Sequence, residues 1–245
     1  MSGAIDFPPG GFRFARGASP YSAGVAAQSG FAIERARFKT PLPIEEGWRR
    51  IEAHLAGIGR PKTALCAAEL RSPKPFTMEG FVGFNKGYIE VLKSWGLFQV
   101  EGLNPVARSN VCPELDPPAV PSFYAFSYTV PGPGRGFVVA GSGEVPEEKG
   151  AYPERIVRRG DVSPDGLREK ARWVLGELER RMAVLDVGWK DVATAQLYTV
   201  HDVHPLLAAE LRRCGSLLWH YARPPVLELD FEMDARAVER ELLLY

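Results

Sequence analysis

The first half of the chain shows an order of hydrophobic and polar positions that predicts strand, helix, strand, helix and strand. Residues 31–38 (FAIERARF) mix apolar and polar side chains in near alternation, which is typical of a strand. Beyond Glu45 the apolar residues recur every three or four positions, as on one face of a helix; they are Trp48, Ile51, Leu55 and Ile58. Residues 63–70 and 122–130 are short apolar or aromatic segments that predict strands. Thr77 can cap a second helix between them.

The second half repeats this order of elements. Residues 136–140 (GFVVA) predict a strand, and a helix is expected from Ser163, with a proline in its first turn. Residues 192–200 predict the next strand, and Asp202 is expected to cap a helix whose apolar face continues to Leu218. The chain is then expected to end in two extended segments, at residues 226–231 and 237–244.

This repeated order predicts an α+β (α/β) fold with two tandem modules, each a mixed sheet with two helices packed on one face. A Pro-Gly-Pro-Gly turn at residues 131–134 separates the two halves. We therefore expect an N-terminal arm at residues 1–30, a first domain at 31–131 and a second at 132–245.

The amino-acid composition argues against two classes of binding partner. Thirty basic residues balance thirty acidic ones, so no overall field attracts nucleic acid or an anionic membrane, and neither partner is expected. No apolar run approaches the roughly 20 residues that span a bilayer, and the N-terminal residues lack the plan of a signal peptide. The three cysteines are widely spaced and form no CxxC pair. Reduced thiols and a cytoplasmic location are expected.

Several short segments recur in a similar order in both halves. In the second half they are residues 189–198 (WKDVATAQLY), 222–224 (ARP) and 237–242 (AVEREL). In the first half they are residues 84–88 (FNKGY) and 105–111 (PVARSNV), preceded by residues 19–22 (SPYS). By their order and spacing, seen twice, these segments resemble motifs of the RidA (YjgF) family of enamine/imine deaminases, and SPYS is similar to the family's N-terminal motif.

The resemblance implies two tandem RidA-like domains of the chorismate-mutase-like (bacillus-type) fold. It also implies a metal-free hydrolase that needs no cofactor and deaminates a small carboxylated enamine or imine, such as an aminomuconate-like intermediate of aromatic degradation. Modules of this family form trimers because each leaves a sheet face to be covered. A homo-oligomer, with a trimer favoured, is therefore expected.

The arginine of the family's "PaRs" motif holds the substrate carboxylate, and a planar guanidinium suits this task because two parallel N–H bonds fix both position and orientation. Arg108 and Arg223 match that arginine. The glutamate of the family's last strand activates the attacking water, since a carboxylate can accept its proton. Glu241 matches that position, with Glu239 as the alternative register.

Four further residues are expected to contact the substrate: Tyr21, Asn85, Tyr88 and Tyr124. Tyr124 could equally serve as a packed aromatic residue. The first half holds Asn85, Tyr88 and Arg108 but no glutamate, whereas the second holds Arg223 and Glu241. We therefore expect a composite cleft built from both domains.

Two other functions fit the same arginines. One is a chorismatase-like hydrolase or lyase that acts on a cyclic carboxylic acid. The other is a non-catalytic protein that binds a small carboxylate. A deaminase, hydrolase or lyase needs a group that supplies or removes a proton, whereas a protein that only binds a carboxylate does not.

Overall fold

The computed structural model describes residues 3–17, 20–98, 103–146 and 154–245. The strands of the first half are β1 (Ile5–Phe7), β2 (Phe12–Ala15), β3 (Gly24–Ala27), β4 (Phe31–Pro43), β5 (Leu65–Arg71), β6 (Ala107–Pro113) and β7 (Ser122–Pro131). Those of the second half are β8 (Phe137–Gly143), β9 (Thr194–Tyr198), β10 (Leu217–His220), β11 (Ala222–Arg223), β12 (Glu232–Ala237) and β13 (Arg240–Leu244). The helices are α1 (Ile44–Gly57), α2 (Met78–Ser94), α3 (Pro164–Val184) and the short α4 (His204–Leu206).

Helices α2 and α3 are each preceded by a residue with a hydroxyl side chain, and both begin where the sequence predicts. Thr77 Oγ1 accepts a hydrogen bond from Gly80 N at 3.1 Å and caps α2. Ser163 Oγ accepts one from Gly166 N at 3.1 Å and caps α3, whose first residue is a proline. Both hydroxyls satisfy backbone donors that a helix leaves unpaired at its N-terminus.

The described residues form two mixed sheets that draw strands from both ends of the chain. The seven-stranded sheet has the order β1-β2-β3-β8-β12-β9-β10, and the six-stranded sheet has the order β11-β6-β5-β7-β4-β13. The N-terminal segment, expected as an extended arm, therefore supplies three strands to the sheet of the second half. In return, β13 pairs in parallel with β4. The division into domains at residues 31–131 and 132–245 stays a prediction.

The helix expected after Asp202 differs most from the structure. The regular α4 ends at Leu206 and continues as one wide π turn to Leu211, and the residues expected to extend it form β10 instead. Asp202 does not cap the helix; its carboxylate accepts a hydrogen bond from His204 N, two residues further on, at 3.0 Å. This local turn is an alternative that Asp side chains offer the backbone.

The last two strands along the chain are also shifted from their expected positions. The extended segments predicted at 226–231 and 237–244 correspond to strands at Glu232–Ala237 and Arg240–Leu244. The inner face of β12 carries charged side chains, namely Glu232, Asp234 and Arg236. These residues alternate with apolar ones, as in a strand, but here the charged positions are buried as well as the apolar ones.

Each sheet has one face covered by helices. Trp48 of α1 packs against Tyr88, Trp95 and Phe123, with ring centroids at 5.5, 5.0 and 4.7 Å. On the other sheet, α3 buries an apolar face that includes Leu167, Ala171, Val174, Leu178 and Met182. Among the described residues, no helix is both long and apolar enough to cross a bilayer.

The opposite faces of the two sheets meet each other inside the chain. One point of close approach is Gly141 of β8, where a Cβ atom would lie 3.1 Å from Ser109 Cβ of β6. A glycine is required there because no space is left for a side chain. The two sheets of one chain therefore cover part of each other's surface. The homotrimer expected from the sequence stays a prediction.

Two glycines of α1 give a matched test of the packing of this helix. At Gly47 a Cβ atom would overlap the ring of Phe123, whereas at Gly57 no atom lies within 4 Å of the Cβ position. We expect Gly47→Ala to lower the free energy of unfolding by about 1–3 kcal/mol through overpacking. We expect Gly57→Ala to raise it by up to about 1 kcal/mol through helix propensity. Urea unfolding of both variants measures this, and equal effects would contradict the packing described.

Candidate functional site

Arg108 lies on β6 with its guanidinium inside a ring of aromatic side chains. The guanidinium carbon is 5.0 Å from the ring centroid of Tyr21, 4.8 Å from that of Tyr88, and 5.6 and 5.8 Å from those of Phe81 and Phe84. Only 3% of the residue is exposed. Its two terminal nitrogens are buried without a hydrogen-bond partner among the described residues. Aromatic faces attract a cation, but they do not satisfy its N–H groups.

One face of α2 forms the wall of this pocket. Phe84 and Asn85 lie three and four residues after Phe81, and Tyr88 lies four and three residues after them, so all four are on the same side of the helix. In the described part of the chain, Asn85 Oδ1 and the Tyr88 hydroxyl are also buried without a hydrogen-bond partner. Burial raises the pKa of Tyr88 to about 12. Its hydroxyl therefore stays protonated and can donate a hydrogen bond.

Tyr21 reaches the pocket from the loop between β2 and β3. Ser22 N donates to Val106 O at 2.9 Å, and Ser22 Oγ donates to Pro105 O at 3.1 Å. Asn104 Nδ2 donates to Pro20 O at 2.7 Å. Of the two segments that the sequence singles out, residues 20–22 are thus joined to the start of residues 105–111, while Ser19 lies outside the described residues.

Glu232 is the carboxyl group whose charge acts on Arg108. It lies on β12, 4% exposed, and its Oε1 would overlap any Cβ atom at Gly141. Burial, and then the negative charge of Asp234, raise the pKa of Glu232 well above its ordinary value. Burial lowers the pKa of Arg108, which Tyr88, Tyr21 and Glu232 partly oppose. A buried carboxyl group with a raised pKa is suited to acid–base chemistry.

A charged network fills the space between the sheets next to this pocket. Arg35 donates two hydrogen bonds to Glu69, at 2.5 and 2.8 Å. Gln196 donates to Glu69 at 3.4 Å and to Asp234 at 3.0 Å, and the Tyr198 hydroxyl donates to Asp234 at 2.7 Å. Burial alone would raise the pKa of Glu69, but Arg35 holds it well below the ordinary value. Burial and the charge of Glu69 raise the pKa of Asp234.

Four of the seven residues proposed from the sequence lie at or beside the pocket, and three lie elsewhere. Those at the pocket are Tyr21, Asn85, Tyr88 and Arg108. Tyr124 lies on β7 instead, with its ring 4.0 Å from the guanidinium of Arg71. Arg223 lies at the surface and pairs with Glu114.

Glu241 lies on β13, at the edge of the six-stranded sheet, with 46% of its side chain exposed. It pairs with Arg236 at 2.8 Å and with Arg35 at 3.3 Å. Glu239, the alternative register, lies between β12 and β13. Two buried carboxyl groups of β12, Glu232 and Asp234, were not singled out by the sequence analysis. The alternation of residues 231–235 (FEMDA) was the available signal.

Two comparisons with known proteins match all or nearly all of the chain. The family model described as "2-aminomuconate deaminase CnbZ" matches residues 4–242. A curated protein of Comamonas testosteroni, named 2-amino-5-chloromuconate deaminase, is 46% identical over 252 residues, which cover 100% of both chains.

Solved structures are similar at lower identity. A crystal structure of a chorismatase is 12% identical, with a TM-score of 0.55, and covers 97% of this chain and 80% of that one. It shares the overall fold. The YjgF gene product of E. coli is 16% identical, covers 43% of this chain and 81% of that one, and has a TM-score of 0.30.

Replacing the unpaired guanidinium tests whether Arg108 serves the fold. We expect Arg108→Met to raise the free energy of unfolding by about 1–3 kcal/mol, because it removes a buried group without hydrogen bonds and keeps an apolar stem. Arg35→Met is the matched control, expected to lower it by about 3–5 kcal/mol because Glu69 loses its partner. Denaturant unfolding measures both. Similar losses in the two variants would assign Arg108 a structural role.

Proposed function

The chain belongs to the family of 2-aminomuconate deaminase CnbZ, and from this premise we propose that it hydrolyses the C–N bond of 2-aminomuconate or a close derivative. The products are ammonia and the corresponding 2-oxo acid. The full-length similarity to a 2-amino-5-chloromuconate deaminase supports this substrate class.

The observation on which the proposal depends is that the terminal nitrogens of the Arg108 guanidinium lack hydrogen-bond partners among the described residues. The guanidinium is buried, and its terminal nitrogens can form two parallel bonds. A carboxylate is the ligand that satisfies this geometry and also neutralises the charge. In a 2-amino acid derivative the carboxylate is attached to the carbon that loses the amine, so binding at Arg108 fixes the reacting carbon.

Glu232 supplies the proton steps in this proposal. In its protonated form it donates a proton to the enamine carbon, which gives an iminium ion and leaves Glu232 as a carboxylate. That carboxylate then accepts a proton from water while the oxygen bonds to the iminium carbon. Transfer of a proton to nitrogen and loss of ammonia give the 2-oxo acid. The route uses only proton transfers and water, so it calls for no cofactor.

The remaining pocket residues bind and orient the substrate. The Tyr88 hydroxyl and Asn85 Oδ1, both buried without partners among the described residues, can hydrogen-bond to the amine or the carboxylate. The rings of Tyr21, Phe81 and Phe84 offer flat faces to a conjugated carbon chain. Tyr124 and Arg223 have no part in this proposal because they lie outside the pocket.

Replacing Glu232 tests the assignment of the acid–base group. We expect Glu232→Gln to lower kcat for ammonia release from 2-aminomuconate by about 10²–10⁴-fold. Glu241→Gln, which alters a half-exposed carboxylate on another strand, is expected to change kcat by a few-fold at most. A large loss in Glu241→Gln with an unchanged Glu232→Gln would return the role to Glu241.

The raised pKa of Glu232 predicts the direction in which kcat/KM changes with pH. Burial raises the pKa of Glu232, and its protonated form starts the reaction, so kcat/KM should fall as the pH rises through that raised pKa. Rates of ammonia release across a pH series measure this descending limb. The limb should disappear from the residual activity of Glu232→Gln. A descending limb that persists in this variant would assign the titration to another group.

A further inference from the structure

We propose that Asn110 binds the second carboxylate of 2-aminomuconate, which lies at the far end of the carbon chain from the reacting carbon. The inference rests on the proposed function and deepens it, because it names a residue that selects a diacid over a monoacid. It depends on the face of β6 to which Asn110 belongs and on an amide nitrogen of this residue that lacks a hydrogen-bond partner.

Asn110 lies on the same face of β6 as Arg108. Strand β6 pairs with β5 along residues 107–111 without a shift of register, so its side chains alternate regularly and positions 108 and 110 share a face. Ser109, between them, points to the opposite sheet, where a Cβ atom at Gly141 would lie 3.1 Å from its own Cβ. The guanidinium of Arg108 packs against rings of α2. Asn110 therefore also points towards α2.

The side-chain amide of Asn110 is held by its oxygen and has an unused nitrogen. Ser72 Oγ donates to Asn110 Oδ1 at 2.9 Å, and Ser72 N donates to Val111 O at 2.9 Å, which fixes Ser72 beside the strand. Asn110 is 3% exposed, and its Nδ2 atom is buried without a hydrogen-bond partner in the part of the chain that the structure describes. This nitrogen carries two N–H donors. An acceptor on a ligand would offset the cost of burying them unpaired.

The unpaired atoms on this side of β6 and on the facing side of α2 are complementary to an amino diacid. Arg108 Nη1 and Nη2 and Asn110 Nδ2 are donors, Asn85 Oδ1 is an acceptor, and the Tyr88 hydroxyl can be either. 2-Aminomuconate has a carboxylate at each end and an amine beside the first carboxylate. With the first carboxylate on Arg108 and the amine donating to Asn85 Oδ1, the donors of Asn110 are left for the second carboxylate.

The spacing along β6 fits the length of the substrate. Alternate residues of a strand lie about 7 Å apart, which is comparable to the separation of the two carboxylates on an extended six-carbon chain. Because β5 and β6 are parallel, α2 runs back from the end of β5, and its first turns lie towards the end of β6 that holds Asn110. Phe81 belongs to these turns, and its ring centroid is 5.6 Å from the guanidinium carbon of Arg108. Its ring can cover the carbon chain between the two carboxylates.

Two buried arginines with unpaired nitrogens, Arg71 and Arg236, are less suitable because they lie on the other side of the sheet. The guanidinium carbon of Arg71 is 5.5 Å from the ring centroid of Tyr198, which belongs to the seven-stranded sheet. Arg236 belongs to that sheet itself, and its Nε atom donates to Glu241 at 2.8 Å. A ligand held by Arg108 against α2 is separated from both by the strands.

The test compares binding of two unreactive probes to the wild-type protein: muconate, and hexa-2,4-dienoate, in which a methyl group replaces the far carboxylate. Titration calorimetry should give an affinity for muconate at least about tenfold higher, since a hydrogen bond to a charged group contributes that much. Asn110→Leu, which keeps the volume and removes the donors, should abolish this preference. Ser109→Ala, at the next position and on the opposite face, is the matched control and should preserve it.

Equal wild-type affinities for the two probes would overturn the proposal, and this comparison does not depend on the folding of any variant. A preference for muconate that persists in Asn110→Leu would overturn it as well. Asn110→Asp keeps the shape of the side chain and serves the same comparison if Asn110→Leu does not fold. Its carboxylate repels that of the ligand, so the affinity for muconate should fall more than that for hexa-2,4-dienoate.

Kinetics separate this inference from the proposed function. In Asn110→Leu we expect KM for 2-aminomuconate to rise about tenfold, with a smaller change in kcat. We expect no change in kcat/KM for 2-aminohexa-2,4-dienoate, whereas Arg108→Met should lose activity on both substrates. Equal effects of Asn110→Leu on both substrates would contradict the role of Asn110. Failure of the wild-type protein to release ammonia from either substrate would contradict the proposed function, and the binding comparison would stand.

Discussion

The structure depends on charged side chains that must find partners across the space between two sheets. A sheet face that carries Arg35 and Glu69 cannot be buried against an apolar surface, because each charge would lose its hydration without compensation. The second sheet supplies Gln196, which donates to both Glu69 and Asp234. The two halves of the chain are therefore held in one register by polar contacts, while the helices cover the apolar faces on the outside.

Exchange of the chain ends reinforces this arrangement. The N-terminal strands extend the sheet of the second half, and β13 extends that of the first. Glu241 of β13 then pairs with Arg35 of one sheet and Arg236 of the other. Because of the same exchange, Tyr21 lies against Arg108 although 87 positions separate them in the sequence. The pocket consequently includes residues from both ends and from the middle of the chain.

The pocket is the part of the interior where hydrogen bonding is left incomplete. Arg35 and Glu69 are joined by two hydrogen bonds, whereas Arg108, Asn85 and Tyr88 keep buried atoms without partners in the described ranges. An unsatisfied buried group lowers stability and is retained where a ligand completes it. This contrast distinguishes the residues that support the fold from those proposed to bind substrate.

The sequence by itself determined the mixed α+β architecture, the positions of α1, α2 and α3, and the grouping of Arg108 with Asn85 and Tyr88. Those features depend on local periodicity, on caps and on short motifs, which are all readable within a few residues. It proposed Glu241 as the acid–base residue, which stays a prediction, and it did not single out Glu232 and Asp234, the carboxyl groups that β12 buries between the sheets. Only the tertiary structure showed which strand joins which sheet, since those charges become favourable only when the partners across the sheets are in place.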